Sequence, residues 1–434
     1  MTGGPTLVAG LDVGTTTIRL GLFDPTTGER VAFAHEKLGL SVPFAGAVEQ
    51  DAGEFVAATQ RLWAQVIDEA GVSSSAIASL GIANQRATIV CWSSATHEPL
   101  RPAVGWQDAR TAEAVAEFVA QGIPVNTSAS CTKMKWLTDN DPAVAAAAAD
   151  GTLRMGTVDS WMTWALSHGS AFVTDPGNAA ATGMYDAGSG DWSDGALGLF
   201  GVSRTPLAEV VASDANVGTA SLLDPDAAIA LVTRLGDQMA ACAAHGLAPG
   251  EAKLTLGTSA MLDVHAGRAP EAAPAGCYTL PLWRRTTPTE AVEEFMFEGS
   301  VNTAGSVIEW LVRIGLLERV EDLDSVAASG RRGAVAFVPA LAGLGSPHHQ
   351  PSARGEWTGL ALDTTREDMV RAVVEGIADR VAELAAHLGV TDLAVDGGLS
   401  RSVVLSEAIE SRGLAVRHGV DHEASLRGAA LFAV

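Results

Sequence analysis

An aspartate, a glycine and three threonines stand close together near the start of the chain, at Asp12, Gly14 and positions 15–17. An apolar run precedes Asp12 and another begins at Ile18, a pattern that predicts two strands joined by a short turn. Glycine lets a backbone approach a ligand closely, successive N–H groups in a tight turn attract anions, and threonine hydroxyls add donors. A carboxylate beside such a turn suits a phosphate-bound magnesium ion. The pattern favours a phosphate turn, and an ordinary hairpin with a threonine-rich turn is the alternative.

The second half of the chain repeats this arrangement. Residues 252–264 predict a strand, a Gly-Thr-Ser turn at 257–259 and a second strand, which is the layout of residues 7–24. A third candidate is Asp396-Gly397-Gly398 at a predicted strand end, where the glycines would let the backbone lie against adenine or its phosphates. Two such turns predict two domains that each hold part of a phosphate ligand. For the two Gly-Thr turns, the alternative is chance repetition of a common residue pair. For Gly397-Gly398, the alternative is a plain left-handed turn.

Three further groups of polar residues could bind or activate a substrate. Asp237 opens a predicted helix and is the best candidate for a general base, with a simple N-cap as the alternative. The Asn-Gln-Arg stretch at 84–86 ends a predicted strand and offers donors to a polyhydroxy ligand, unless it is a solvated turn. Trp106 with Asp108 and Arg110 suggests a stacking platform for a sugar, or else a helix start with a core tryptophan.

Composition narrows the class of protein and its partners. The chain has 434 residues, which favours two domains, and the apolar stretch 227–232 suggests domains of residues 1–232 and 233–434. A formal net charge of −23 disfavours nucleic acid and anionic membranes as partners. Four widely spaced cysteines predict reduced thiols in a cytoplasmic protein, and neither a signal peptide nor a membrane span is expected. The P-loop, Rossmann and zinc-protease motifs are absent.

The hydrophobic periodicity predicts an α/β fold that combines antiparallel and parallel strands. Residues 7–40 read as a three-stranded meander, and helices are predicted over Ala52–Ala70 and Arg366–Leu388. A loop is expected over Gly188–Asp194, and a Gly/Ser segment from Phe297 is expected to lead into a helix. The chain is expected to end inside an apolar helix that begins at Ala424.

The motifs occur in an order that resembles the FGGY family of carbohydrate kinases, and within it the glycerol kinases, over nearly the whole chain. The resemblance rests on Asp12-Val13-Gly14-Thr15-Thr16, Asn84-Gln85-Arg86, Trp106-Gln107-Asp108, Gly236-Asp237-Gln238, Gly257-Thr258-Ser259 and Asp396-Gly397-Gly398. It implies two actin/hexokinase-like (ribonuclease H-like) α/β domains with a central cleft that close on ATP and Mg²⁺. The implied reaction transfers phosphate from ATP to a hydroxyl of a small polyol or sugar, as in the conversion of glycerol to glycerol 3-phosphate.

The resemblance also implies a role for individual residues. The phosphates would be held by Gly14, Thr15, Thr16 and Arg19, with Asp12 near magnesium. The nucleotide site would be lined by Gly257, Thr258, Gly305, Gly397, Gly398 and Ser402. Asp237 would be the general base. The polyol would be contacted by Arg86, Trp106, Asp237, Gln238 and Met261.

Four positions depart from the glycerol kinase pattern. Ala87 replaces a usual Glu, Ser128 a Tyr, Met261 a Phe, and Ser402 an Asn on the adenine side. Without one carboxylate and two aromatic walls the pocket is wider and differently polar, and glycerol would lose hydrogen bonds. A larger polyol or a sugar is therefore an alternative to glycerol. The chain is also shorter than a usual glycerol kinase, and its last helix is expected to be cut short.

Other functions remain open beside the glycerol kinase-like one. Within the family, the alternative is a pentulose or other sugar kinase. Outside it, the alternative is a non-catalytic actin-fold protein, or an ATPase that binds nucleotide without phosphorylating a sugar. Retention of Asp237 argues against that alternative, because binding alone needs no base. A homodimer is a further expectation.

Overall fold

The computed structural model describes residues 7–269, 272–419 and 423–434. The chain divides into two compact units, and it passes between them more than once. The first unit contains the chain up to Ala244, together with Pro281–Glu293 and Ser425–Val434. The second unit contains His245–Leu280 and Glu294–Ala424. All four cysteines are free thiols, three of them buried.

The first half of the chain alternates strands and helices. Its strands are β1 (Leu7–Val13), β2 (Thr17–Phe23), β3 (Arg30–Lys37), β4 (Glu49–Gln50), β5 (Ile77–Asn84), β6 (Ile89–Ser93), β7 (Ala103–Val104), β8 (Leu153–Thr157), β9 (Val173–Thr174), β10 (Tyr185–Asp186), β11 (Asp191–Trp192), β12 (Glu209–Val210) and β13 (Ala230–Gly236). Its helices are α1 (Ala52–Ala70), α2 (Ala112–Ala120), α3 (Ser130–Asn140), α4 (Pro142–Ala149), α5 (Val158–Leu166), α6 (Pro176–Ala181), α7 (Asp194–Phe200) and α8 (Asp237–Ala244).

The second half follows the same alternation. Its strands are β14 (Ala252–Leu256), β15 (Ala260–Gly267), β16 (Tyr278–Thr286), β17 (Ala291–Val301), β18 (Ala336–Val338), β19 (Glu356–Thr358), β20 (Asp392–Asp396) and β21 (Ala415–His418). Its helices are α9 (Gly305–Arg313), α10 (Leu323–Ser329), α11 (Arg366–Leu388), α12 (Val403–Glu410) and α13 (Ala424–Leu431). Short 3₁₀ turns lie at Ser74–Ala76, Val320–Asp322 and Gly398–Arg401.

A five-stranded mixed sheet forms the centre of the first unit, in the order β13-β5-β1-β2-β3. β1, β2 and β3 are antiparallel neighbours, whereas β5 is parallel to both β1 and β13. All seven residues of β1 are buried, which is typical of a strand covered on both faces in an α/β sheet. The predicted meander with an added parallel part is confirmed. A second sheet, β4-β7-β6-β8, packs with α3 and α4 around its own core.

A six-stranded sheet in the order β16-β17-β15-β14-β20-β21 repeats this plan in the second half. β14 is antiparallel to β15 and parallel to β20, and β20 is parallel to β21. The 23-residue helix α11 lies against one face of the sheet, where Leu384 packs close to Gly299 of β17. That face carries leucines and valines, and the opposite face carries Lys253, Thr255 and Asp396. Alternation along β14 creates this division, because successive side chains of a strand point to opposite faces.

The last helix, α13, lies very close to the first unit's sheet. A side-chain carbon at Gly81 of β5 would stand 1.9 Å from the carbonyl oxygen of Ala429, and one at Gly10 would stand 2.3 Å from that of Leu426. Likewise, a carbon at Gly428 would stand 1.8 Å from the carbonyl oxygen of Ala240 in α8. These glycines permit the close approach, so α13 holds both the central sheet and the helix that begins with Asp237.

Replacing Gly81 by alanine is expected to destabilise the first unit by overpacking. The new methyl group would force α13 away from β5, at a cost of about 1–3 kcal/mol. Differential scanning fluorimetry should show a melting temperature lower by about 3–9 °C. Gly39→Ala is the matched control, since nothing lies within 4 Å of the added carbon there. An equal melting temperature for Gly81→Ala and the wild type would contradict the packing argument.

Three predictions about elements need correction. Residues 297–301 belong to β17 rather than to a Gly/Ser opening, because they pair with β15 from Phe297 to Val301. The predicted loop over Gly188–Asp194 contains β11, which pairs with β10. The last helix ends at Leu431, before the end of the chain. Among the residues that the structure describes, no helix is both long enough and apolar enough to cross a membrane.

Candidate active site

The turn between β1 and β2 is held by side chains from two predicted substrate motifs. Gln85 accepts a hydrogen bond from the Thr15 hydroxyl at 3.2 Å and donates to the carbonyl of Gly14 at 3.2 Å. Trp106 donates from Nε1 to the Thr15 hydroxyl at 3.0 Å, and Gln50 donates to the Thr15 carbonyl at 2.8 Å. The structure thus brings the predicted phosphate turn together with Trp106 and with Gln85 of the Asn-Gln-Arg stretch. Gln50 was not singled out in the sequence, because it stands alone before α1.

A carboxylate and a guanidinium face each other beside this turn. Asp12 is buried at the end of β1, directly opposite Arg19 of β2, and Arg19 Nη1 lies 3.3 Å from Asp12 Oδ2. A side-chain carbon at Gly14 would stand 2.9 Å from the Thr17 carbonyl oxygen and 3.5 Å from Arg19 Nη1. Only glycine therefore leaves the space above the turn open. Thr16 is exposed there, whereas the Thr15 hydroxyl is engaged with Gln85 and Trp106.

The predicted base, Asp237, lies at the first position of α8 and close to Arg86. Arg86 Nε lies 3.7 Å from Asp237 Oδ1, and the Gln238 backbone N–H donates to the same oxygen at 2.9 Å. Gly236 makes this possible, because a side-chain carbon there would stand 2.7 Å from the Arg86 chain. About 35% of the Asp237 side chain is exposed, so a ligand can reach the carboxylate. The structure places Arg86, Asp237 and Gln238 at the adjoining ends of β5 and β13.

Trp106 is exposed and its predicted contact with a polyol stays a prediction, whereas its two charged neighbours are taken up by other contacts. Trp106 is 37% exposed. Asp108 is fully buried and is bonded to Arg110 and to the backbone N–H of Val48 at 2.7 Å. Burial raises the pKa of Asp108, but the bonds from Arg110 and from the backbone outweigh it and lower the pKa. Arg110 also bonds to Glu49, so both side chains serve to hold the segment that carries Trp106.

A buried chain of amides and carboxylates lies behind Arg86. Asn84 and Asn178 exchange hydrogen bonds at 2.8 and 3.2 Å, and Asn178 also donates to Asp175 at 2.9 Å. Ser213 donates to the other oxygen of Asp175. Burial, together with the nearby Asp159 carboxylate, raises the pKa of Asp175 to about 6. This network fixes the strand end before Arg86.

Two of the departures from the glycerol kinase pattern lie in the first unit. Ala87 is buried and has a left-handed backbone with φ 62°, and Ser130 donates to its carbonyl at 3.0 Å. The carbonyl of Ser128 accepts a bond of 3.4 Å from Lys133. Lys133 also donates to the carbonyls of Gly105 and Trp106, and burial lowers its pKa to about 8. Backbone contacts therefore fix both positions, and the side chains there are small.

The predicted nucleotide residues of the second unit cluster where β14 and β20 end. Gly305 at the start of α9 donates to the Gly257 carbonyl at 2.8 Å, and a side-chain carbon there would stand 2.6 Å from the same oxygen. Ser306 donates to the Thr258 carbonyl through both its backbone and its hydroxyl. Gly397 has φ 86°, and a side-chain carbon there would stand 2.6 Å from the Leu256 carbonyl. Gly257, Thr258, Gly305 and Gly397 are thus brought together.

The hydroxyl of Ser402 is engaged in helix capping. Ser402 is the N-cap of α12, accepts from the Leu405 N–H, and donates to Asp324 at 2.5 Å. The other Asp324 oxygen accepts from the Val403 N–H at 2.9 Å. Gly398 begins the short turn just before it. A nucleotide contact by Ser402 stays a prediction.

Met261 lies on the polar face of the second unit's sheet. It is opposite Thr255 of β14 and Ser300 of β17. Lys253, two residues before Thr255, is fully buried and lies 2.8 Å from Asp263. The apolar face of the sheet lies beneath α11, on the opposite side. Met261 therefore has polar neighbours and is not part of that apolar core.

Comparisons with known proteins agree with this architecture. The family model described as FGGY family of carbohydrate kinases, N-terminal domain, matches residues 7–243, and the C-terminal domain model matches residues 252–434. A glycerol kinase of Alkalilimnicola ehrlichii is 35% identical, over 98% of this chain and 89% of that protein. A glycerol kinase of Thermus brockianus is 37% identical, over 92% and 83%. The crystal structure of Plasmodium falciparum glycerol kinase with ADP is similar with a TM-score of 0.89 and 26% identity, covering 98% of this chain and 88% of that chain.

Proposed function

Because this chain belongs to the FGGY family of carbohydrate kinases, we propose that it transfers phosphate from ATP to glycerol or to a related small polyol or sugar. As a member of that family it is a phosphotransferase that acts on an alcohol. The observation that carries the proposal is the placement of Arg86, Asp237 and Gln238 at adjoining strand ends of one unit. Such a group suits recognition and activation of a hydroxyl.

Asp237 acts as the general base in the proposed reaction. Its exposed carboxylate accepts the proton of the substrate hydroxyl while that oxygen bonds to the γ-phosphorus of ATP. The bond between this phosphorus and the β,γ-bridging oxygen breaks, and ADP leaves. The guanidinium of Arg86, whose Nε lies 3.7 Å from the carboxylate, holds its orientation. The first unit contains Arg86, Trp106, Asp237 and Gln238 and would supply the base, the phosphate turn and most polyol contacts, whereas the second unit would supply the ADP contacts.

The glycine positions of both units fit a phosphate ligand. At Gly14, Gly305 and Gly397 an added side-chain carbon would fill the space beside the turn or collide with backbone. Magnesium usually binds through one or two carboxylates plus phosphate oxygens, and Asp12 would be the protein carboxylate. When bound, the ion would neutralise phosphate charge. Gly14, Thr16 and Arg19 would orient the phosphates from the first unit.

An ADP-release assay over a panel of polyols and sugars tests this function. We expect one small polyol or sugar to stimulate ADP release well above the rate with ATP alone. The panel should include glycerol, larger acyclic polyols and pentuloses, since each fits one of the proposed substrate classes. Release that no compound stimulates would contradict the proposal and favour a nucleotide-binding role without phosphorylation.

Ala87 is expected to tune the choice between glycerol and larger substrates. Ala87→Glu restores the carboxylate that glycerol kinases usually have here, and a hydrogen bond to a charged group is worth about 1.5–3 kcal/mol. We expect kcat/KM for glycerol, relative to the best larger polyol, to rise about tenfold. Ala87→Gln is the control, because it adds similar bulk without charge. If the ratio of the two kcat/KM values is unchanged in Ala87→Glu, position 87 does not determine substrate choice.

A further inference from the structure

His245 makes a buried contact that the proposed roles above do not use. It is the residue after α8, the helix that begins with Asp237, and it is the first residue of the second unit. His245 Nε2 lies 3.0 Å from Asp396 Oδ2, and the two side chains are 7% and 4% exposed. Asp396 is the last residue of β20 and immediately precedes Gly397 and Gly398.

Asp396 is held by groups on separate elements. His245 bonds to it from the end of α8, and Thr255 of β14 bonds to it from the neighbouring strand. Lys253, two residues before Thr255, adds a positive charge nearby. Burial raises the pKa of Asp396, but the charge of Lys253 and these bonds outweigh it and lower the pKa. The carboxylate is therefore ionised, and its partners fix its place.

The turn after Asp396 has little freedom of its own. Gly397 is left-handed with φ 86°, and a side-chain carbon on it would collide with the Leu256 carbonyl. The carbonyl of Gly397 accepts from the Ser400 hydroxyl at 2.7 Å. A closely packed turn cannot rearrange independently of the residue before it. The direction of its peptide groups therefore depends on where the Asp396 side chain is held. A small shift at Asp396 would misplace the Gly397-Gly398 backbone.

We propose that His245 is a positioning residue that holds the Gly397-Gly398 turn in its nucleotide-binding conformation through Asp396. The inference rests on the proposed function, because that function assigns the turn to ADP. His245 is not proposed to touch either substrate. Loss of its hydrogen bond leaves a buried carboxylate with one partner fewer, which weakens nucleotide binding more than alcohol binding.

The test compares ADP affinity and steady-state kinetics in the full chain. We expect His245→Ala to raise the Kd for ADP and the KM for ATP about tenfold, with the KM for the alcohol unchanged. His245→Gln should recover most of the affinity, because its amide N–H can still donate to Asp396. His245→Asn, whose amide is too short to reach, should resemble the alanine variant and serves if that variant does not fold. In an Asp396→Asn background, His245→Ala should have little further effect on ADP affinity.

His265→Ala is the matched control for a purely structural effect. His265 is also buried, and its Nδ1 bonds to the Leu247 carbonyl just beyond α8 rather than to Asp396. This variant should lower the melting temperature without changing the Kd for ADP. An unchanged Kd for ADP in His245→Ala, or an equal increase in His265→Ala, would overturn the inference.

The same measurements separate this inference from the proposed function. A wild-type chain that binds ADP but phosphorylates no alcohol would overturn the function, and the variants' ADP affinities would still decide the role of His245. A wild-type chain that binds no ADP would overturn both. A wild-type chain with full kinase activity and an unaffected His245→Ala variant would overturn the positioning role alone.

Discussion

Asp237→Asn is expected to reduce kcat by about 10³-fold or more while ADP still binds. General-base catalysis contributes about 10²–10⁴-fold, and an amide cannot accept the proton of the substrate hydroxyl. The substitution keeps the size of the side chain and can still accept the bond from the Gln238 N–H. The residues proposed to line the ADP site, from Gly257 to Gly398, belong to the second unit, whereas Asp237 belongs to the first. Coupled measurement of ADP release and calorimetric titration with ADP would check both parts.

Asp194→Asn is the matched control for this variant. Asp194 is also an acidic residue in the first turn of a short helix, α7, and it is exposed. The exchange of a carboxylate for an amide at a helix start therefore occurs in both variants, but only Asp237 lies beside Arg86. We expect kcat for Asp194→Asn to stay within a factor of two of the wild type, on the order of a surface effect. Full turnover by Asp237→Asn would refute the proposed base.

The elements with strong local signals were predicted well. α11 occupies Arg366–Leu388 as expected, because Thr365 caps its start with Asp368 and a left-handed Gly389 ends it. α1 likewise has Asp51 as its N-cap and Gly71 as its left-handed C-cap. These signals are carried by neighbouring residues, so the sequence alone specifies them.

The hairpin of β16 and β17 was missed because its pattern is irregular. β17 reads Ala-Val-Glu-Glu-Phe-Met-Phe-Glu-Gly-Ser-Val, and its paired glutamates break the alternation of a half-buried strand. The sequence pattern also does not predict that Pro281–Glu293 and Ser425–Val434 belong to the first unit. Their place there depends on contacts between distant residues, such as α13 with Gly10 and Gly81. Local periodicity carries no information about such contacts.

The candidate site shows the same limit. Motif order brought Gly14, Arg86 and Asp237 to attention, and the structure places Arg86 and Asp237 together. Motif order alone could not show that Trp106 is exposed while Asp108, only two residues later, is buried in an ion-pair network. Burial of a charged residue depends on partners far along the chain, here Glu49 and Val48. For the same reason no pattern drew attention to His245, whose partner is 151 residues away.

The buried lysine of the second unit leads to the largest expected effect on stability. Lys253 and Asp263 are both fully buried, 2.8 Å apart, and Lys253 also donates to the Thr255 hydroxyl at 2.7 Å. Removing one partner of a buried ion pair leaves an uncompensated charge and costs about 3–5 kcal/mol. We expect Lys253→Met to lower the free energy of unfolding of the second unit by this amount. Urea denaturation, followed by circular dichroism, would show an earlier unfolding transition.

Two further variants decide whether the loss comes from the uncompensated charge. Lys253→Met combined with Asp263→Leu removes both charges, and well-packed apolar replacements of a buried pair are often neutral or stabilising. We therefore expect the double variant to recover most of the lost stability. Lys135→Met is the surface control, since the Lys135–Asp139 pair on α3 is largely exposed and should contribute less than about 1 kcal/mol. If the double variant were as unstable as Lys253→Met, the loss would come from the packing of the lysine chain instead. Because Asp396 also depends on the charge of Lys253, ADP affinity should stay weakened even when stability returns.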